Sequence, residues 1–136
     1  MSETVTTINN ILEFIKALLP TTIPIYLVEM PLDSYGLLIE ETGTRGRIAS
    51  FKGYDGVIQS TIQFYIRAER KQGAYVGNTK TLKDYFKTVQ ENKGLEVDGI
   101  KLLWVEGFDL ETFKDEKGNP CYSLLFQIIY KESECA

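Results

Sequence analysis

The stretch Ile58-Gln-Ser-Thr-Ile-Gln-Phe-Tyr-Ile-Arg-Ala-Glu-Arg70 decides how the rest of the chain is read. Ile58, Ser60, Ile62, Phe64, Ile66 and Ala68 occupy every second position, with Gln59, Thr61, Gln63, Tyr65, Arg67 and Glu69 between them. A strand sends alternate side chains to opposite sides, so the pattern predicts one long strand, apolar on one face and polar on the other. A helix, at about 3.6 residues per turn, would scatter the same apolar set around its circumference.

The flanking sequence supplies cover for that apolar face. Val5, Ile8, Ile11, Leu12, Ile15, Leu18 and Leu19 recur at three- and four-residue spacing, predicting an amphipathic helix over 3–19, capped by Ser2 or Thr4 and ended by Pro20. Leu82, Tyr85, Phe86 and Val89 make the stripe of a second helix over 78–91, with Lys80, Lys83 and Lys87 turned to water. Short strands are predicted at 25–30 and 35–41, a further extended piece at 95–97, and strands at 100–106 and 121–131. The glycine-rich stretch 42–57 reads as a long mobile connection holding a short strand near 47–51. Residues 107–119 read as a linker with a Lys117-Gly118-Asn119-Pro120 turn, and 132–136 as a flexible tail. The expected architecture is one α+β domain over 1–136. It has a mainly antiparallel sheet of about five strands, with two helices packed on one face in helix–strands–helix–strands order. Trp104, beside Leu102, reads as core.

At 136 residues the chain can bury a core without covalent staples, and its 43% hydrophobic and 25% charged content is that of a globular domain. A net charge of −4 argues against wrapping nucleic acid. That charge is divided unevenly. Residues 44–101 hold eleven Lys/Arg against six Asp/Glu, while the remainder holds four against thirteen. The division either steers head-to-tail contact between copies or is a mixed surface with no such role. Cys121 and Cys135 form no metal spacing, and a reducing compartment is expected. The N-terminal residues show no basic leader and apolar core, and no apolar run approaches a membrane span, so a soluble protein made in a cytoplasm is expected.

Histidine is absent, which removes Ser-His-Asp and Cys-His chemistry. Asp109, Glu111, Asp115 and Glu116 are the one cluster that invites a magnesium-dependent nucleic-acid enzyme, but charged residues beside a Gly-Asn-Pro turn are far more often the solvated end of a hairpin. Thr42-Gly-Thr-Arg-Gly46 has no phosphate-loop pattern, and no cofactor is expected. The candidate partner-binding residues are basic and aromatic: Arg45, Arg47, Phe51, Lys52 and Tyr54 in the glycine-rich stretch, with Tyr65, Arg67, Arg70 and Lys71 at the exit of the long strand. The plainer reading is an ordinary solvated loop, and the aromatics interleaved with the basic residues give only a weak nucleic-acid composition. Gln63 and Tyr65 give the polar strand face the character of a packing surface.

In layout the chain resembles the tail terminator proteins of long-tailed bacteriophages, grouped in part with phage minor capsid proteins. The resemblance spans the helix ending at Pro20, the loop through Lys52-Gly53-Tyr54-Asp55-Gly56, the strand 58–70 and the Leu82-Lys83-Asp84-Tyr85-Phe86 helix. It continues through Trp104-Val105-Glu106-Gly107 and the closing aromatic strand to Tyr130. It implies a virion structural protein, not an enzyme, found at the head-proximal end of the tail. A ring of copies, a hexamer, would cap the tail tube, stop its growth and offer a docking surface for the head. The implied partners are sister copies, the major tail tube protein and a head connector, with DNA at most passing through the lumen. A head-completion or connector component is the alternative within assembly.

Overall fold

The computed structural model describes residues 8–32, 34–47, 57–68 and 79–132. In chain order they form α1 (Ile11–Leu18), β1 (Ile25–Leu27), β2 (Gly36–Arg47), β3 (Val57–Arg67), α2 (Thr79–Glu91), β4 (Glu96–Val97), β5 (Ile100–Lys114) and β6 (Pro120–Glu132). No helix among the described residues is long and apolar enough to cross a membrane.

The expected five-stranded, mainly antiparallel sheet with two helices laid on one face does not hold. The sheet has six strands in the order β1-β2-β3-β6-β5-β4, and it is mixed, because β1 runs parallel to β2. It is also longer in strand and more curled than a flat layer: β2 shifts register between Thr42 and Gly46, and β5 between Leu102 and Trp104 and again between Glu106 and Asp109. Each extra residue on one strand of a pair bends that strand and raises its twist. The helices take different strands of that sheet. α1 sits against β1 and β2, while α2 sits against β5 and β6.

β3 behaves as its alternation dictates. Ile58, Ser60, Ile62, Phe64, Ile66 and Ala68 are buried, and Thr61, Gln63, Tyr65 and Arg67 are half-buried on the other side. Its inward residues pair with Tyr130, Ile128, Phe126, Leu124 and Tyr122 of β6. These, with Leu37 and Ile39 of β2 and the apolar stripes of α1 and α2, form one core cluster. Phe126 sits at its centre, edge-on to Phe64 at 4.9 Å and to Phe86 at 5.2 Å between ring centroids. Such edge-to-face pairs add to the burial of the rings themselves.

Three boundaries differ from expectation for local reasons. α1 begins at Ile11, because Asn10 is extended and its side chain accepts the Glu13 amide at 2.9 Å. Glu13 in turn accepts the Asn9 amide at 3.0 Å, which completes a reciprocal cap. The predicted helix over 3–19 therefore does not run through 8–10, and its residues 3–7 lie outside the described residues. β2 runs on through 42–47 of the stretch read as a connection, while 48–56 lie outside the described residues. The supposed linker at 107–119 is mostly strand. β5 continues to Lys114, with Gly107 at φ +68 inside its second bulge. That left-handed conformation is why glycine stands there.

Candidate functional site

The side of the sheet facing away from the core cluster is built by the odd residues of β3 and β6 and the residues they pair with. Register across four strands gives successive rows: Thr42, Thr61, Gln127 and Glu106; then Glu40, Gln63, Leu125 and Asp109; then Leu38, Tyr65, Ser123 and Glu111. Among the described residues no helix or strand is packed on these rows. Their middle is neutral and hydrogen-bonding, and Gln59 and Gln127 approach to 3.5 Å. One border is acidic: Glu106, Asp109 and Glu111 are exposed along β5, each alternating with an inward Val105 or Leu110. The bulge between Glu106 and Asp109 opens a recess of about 380 Å³ there, floored by Leu125 and walled by Thr61 and Gln127.

At the far end of the same face the sheet curls over itself. Cys121 is 0% exposed and Ser123 4%, although both point away from the core cluster. The Tyr65 ring lies 6.0 Å from Phe113, and its hydroxyl is 3.2 Å from Cys121 Sγ. Burial, reinforced by the contact with Cys121, pushes the Tyr65 hydroxyl well above its usual range. Burial likewise raises the Cys121 thiol, with the Tyr65 hydrogen bond pulling the other way. Both groups therefore stay protonated at neutral pH, as a packing pair and not a nucleophile. Arg67 lies beside them but reaches across to donate to the Ser34 carbonyl at 2.8 Å and the Pro31 carbonyl at 2.9 Å. It ties the β1–β2 connection to the sheet. An open recess of about 440 Å³ next to it is lined by Leu32, Tyr35, Arg67, Lys114 and the 115–119 turn.

Three of the four carboxylates at 109–116 separate into two jobs, and the fourth, Glu116, is exposed at the turn. Asp109 and Glu111 project from β5. Asp115 holds the turn: Oδ1 accepts the amides of Lys117 at 2.9 Å and Asn119 at 2.8 Å, and Oδ2 accepts the Asn119 side chain at 3.1 Å. Those bonds, led by the Asn119 amide, hold its carboxyl below the usual 3.8. No group of three or more possible metal ligands comes together among the described residues.

Of the nine candidate partner-binding residues, the four that lie among the described residues are not brought to one place. Tyr65 and Arg67 lie at one end of the outward face, and each has a structural task. Arg47 pairs opposite Ile58, nine residues up β3 from Arg67, which is about 30 Å along a strand. Arg45 lies in the stretch of β2 where the register shifts. Phe51, Lys52, Tyr54, Arg70 and Lys71 lie outside the described residues.

Trp104 is a correction. The bulge at Leu102/Trp104 turns it outward, 45% exposed, with Lys93 Nζ 4.6 Å from its ring centroid. The residues that sequence reasoning missed are Glu106 and the row around it. Period-2 reading across Gly107 would have found them had the glycine been taken as a bulge. Compared with known proteins, the chain matches no protein family and no curated relative.

Proposed function

We propose that the chain is a structural subunit of a bacteriophage tail, a tail terminator that closes the tube as a ring of copies and receives the head. The observation that carries this reading is the outward sheet face. It spans four strands, has a neutral hydrogen-bonding centre of Thr61, Gln63 and Gln127, and bears no packed element among the described residues. A face of that composition suits contact with another protein better than it suits catalysis. The uneven charge along the sequence supports contact between copies, since a ring needs two different surfaces that fit each other. Asp115, spent on its turn, takes a member from the carboxylate set on which an enzymatic reading would draw.

Mixing the purified chain with tail tube protein tests the proposal. Native mass spectrometry is expected to give a closed ring, six copies by the resemblance, and tube growth is expected to stop when the chain is added. A chain that stays monomeric and leaves tube length unchanged overturns it. Particles lacking the gene are expected to carry overlong or unjoined tails. Heads that lose DNA from tails of normal length would assign the chain to head completion instead.

A further inference from the structure

We infer that the outward sheet face docks a second copy of this chain through the exposed lysine stripe of that copy's α2. The inference rests on the ring reading above and names its interface. Three observations carry it. Glu106, Asp109 and Glu111 line one border of the outward face, all exposed, beside an uncharged centre. α2 presents Lys80, Lys83 and Lys87 to solvent at three- and four-residue spacing, so they form one stripe opposite its buried Leu82, Tyr85, Phe86 and Val89. The two surfaces lie back to back, because α2 packs on β5 and β6 from the core side while the acidic row leaves β5 on the other side.

The dimensions agree. Lys80 to Lys87 spans about 10 Å at 1.5 Å per helical residue. Glu106 to Glu111 spans about 13–17 Å at 3.3 Å per strand residue, less what the bulge takes up. A lysine fits the recess at that bulge in both its parts: the apolar stem covers Leu125 and the ammonium lies between Glu106 and Asp109. Lys80 is already bonded to Asp84 at 3.0 Å, so Lys83 and Lys87 are the principal donors. Because donor and acceptor surfaces sit on opposite sides of the subunit, each docked copy exposes the same pair again. Such a heterologous contact repeats head to tail, and it closes a ring where the rotation per copy fits. The charge pairs set register and speed the encounter, and the neutral rows supply the buried contact area.

The test uses the full chain and two charge-reversed variants, Lys83→Glu/Lys87→Glu and Glu106→Lys/Asp109→Lys, in sedimentation and native mass spectrometry over a wide concentration range. The unchanged chain is expected to associate, and more weakly as salt rises. Each variant alone is expected to need about tenfold or more higher concentration to associate. An equimolar mixture of the two is expected to recover association, since each then offers what the other requires, and a misfolded variant cannot give that recovery. Carbodiimide coupling of the unchanged chain, mixed with an isotope-labelled copy, is expected to join Lys83 or Lys87 of one chain to Glu106 or Asp109 of another. Variants that assemble as the unchanged chain does overturn this interface and leave the ring reading standing. An unchanged chain that stays monomeric at every concentration, with tail tube protein and without it, overturns this interface, and the ring reading falls with it only if tube growth also continues unchanged.

Discussion

Asp115 shows how one side chain can hold a turn through its charge. Its carboxyl titrates below 3.8 in the folded chain because Lys117 and Asn119 donate to it. A depressed carboxylate contributes stability above its unfolded value and loses that contribution as pH falls through the folded value. Amide exchange at Lys117 and Asn119 is therefore expected to accelerate as pH drops below about 4, after correction for intrinsic rates. Asp115→Asn is expected to show fast exchange at every pH. Val28 is a second residue-scale case. It is a β-branched residue at φ +71 and 67% exposed, with its amide on the Ile39 carbonyl at 3.0 Å. A left-handed backbone costs an L-residue about 1–2 kcal/mol, so Val28→Gly is expected to be neutral or to raise stability by up to about 1 kcal/mol in urea titration. Cys121, buried and protonated, is expected to resist iodoacetamide at neutral pH until denaturant is added, as read by peptide mass.

The elements depend on where the backbone departs from regularity. Gly36 begins β2 at φ +153, and a Cβ built there would lie 2.5 Å from the Pro24 carbonyl oxygen. That same oxygen accepts the Leu37 amide at 2.9 Å, the bond through which β1 enters the sheet in parallel. Gly36→Ala is expected to cost about 1–3 kcal/mol and to release β1 first, seen as selective loss of exchange protection at Leu37. β5 makes the complementary case. Leu102 pairs with Tyr130 and Trp104 with Ile129, so Leu103 is the extra residue of the first bulge. Deleting Leu103 is expected to leave every later pair in place and to keep cooperative unfolding. Deleting Val105 instead removes the inward residue opposite Ile128 and turns its neighbours to the wrong face. Denaturant curves of the two deletions distinguish these outcomes.

For the molecule as a whole, the single core cluster means that both helices and the sheet should unfold together. Phe126 touches rings from β3 and α2 at once, and Phe126→Ala is expected to cost about 3–5 kcal/mol with coincident loss of helix and strand signals. Local alternation was enough to determine β3 and β6, and three-four spacing determined α2, because each signal lies within a few residues and needs no partner. The parallel placement of β1, the continuation of β5 past Gly107 and the outward turn of Trp104 were decided only in the folded state. They depend on which strand lies alongside and on bulges that reset which side a residue faces. The candidate site followed the same division. The sequence alone settled that β3 has a polar face and that acids outnumber bases outside residues 44–101. That Glu106, Asp109 and Glu111 border that face, while Arg47 and Arg67 lie at opposite ends of the sheet, was decided by register, because hydrogen-bonded pairing across strands sets distances that spacing along one strand cannot express.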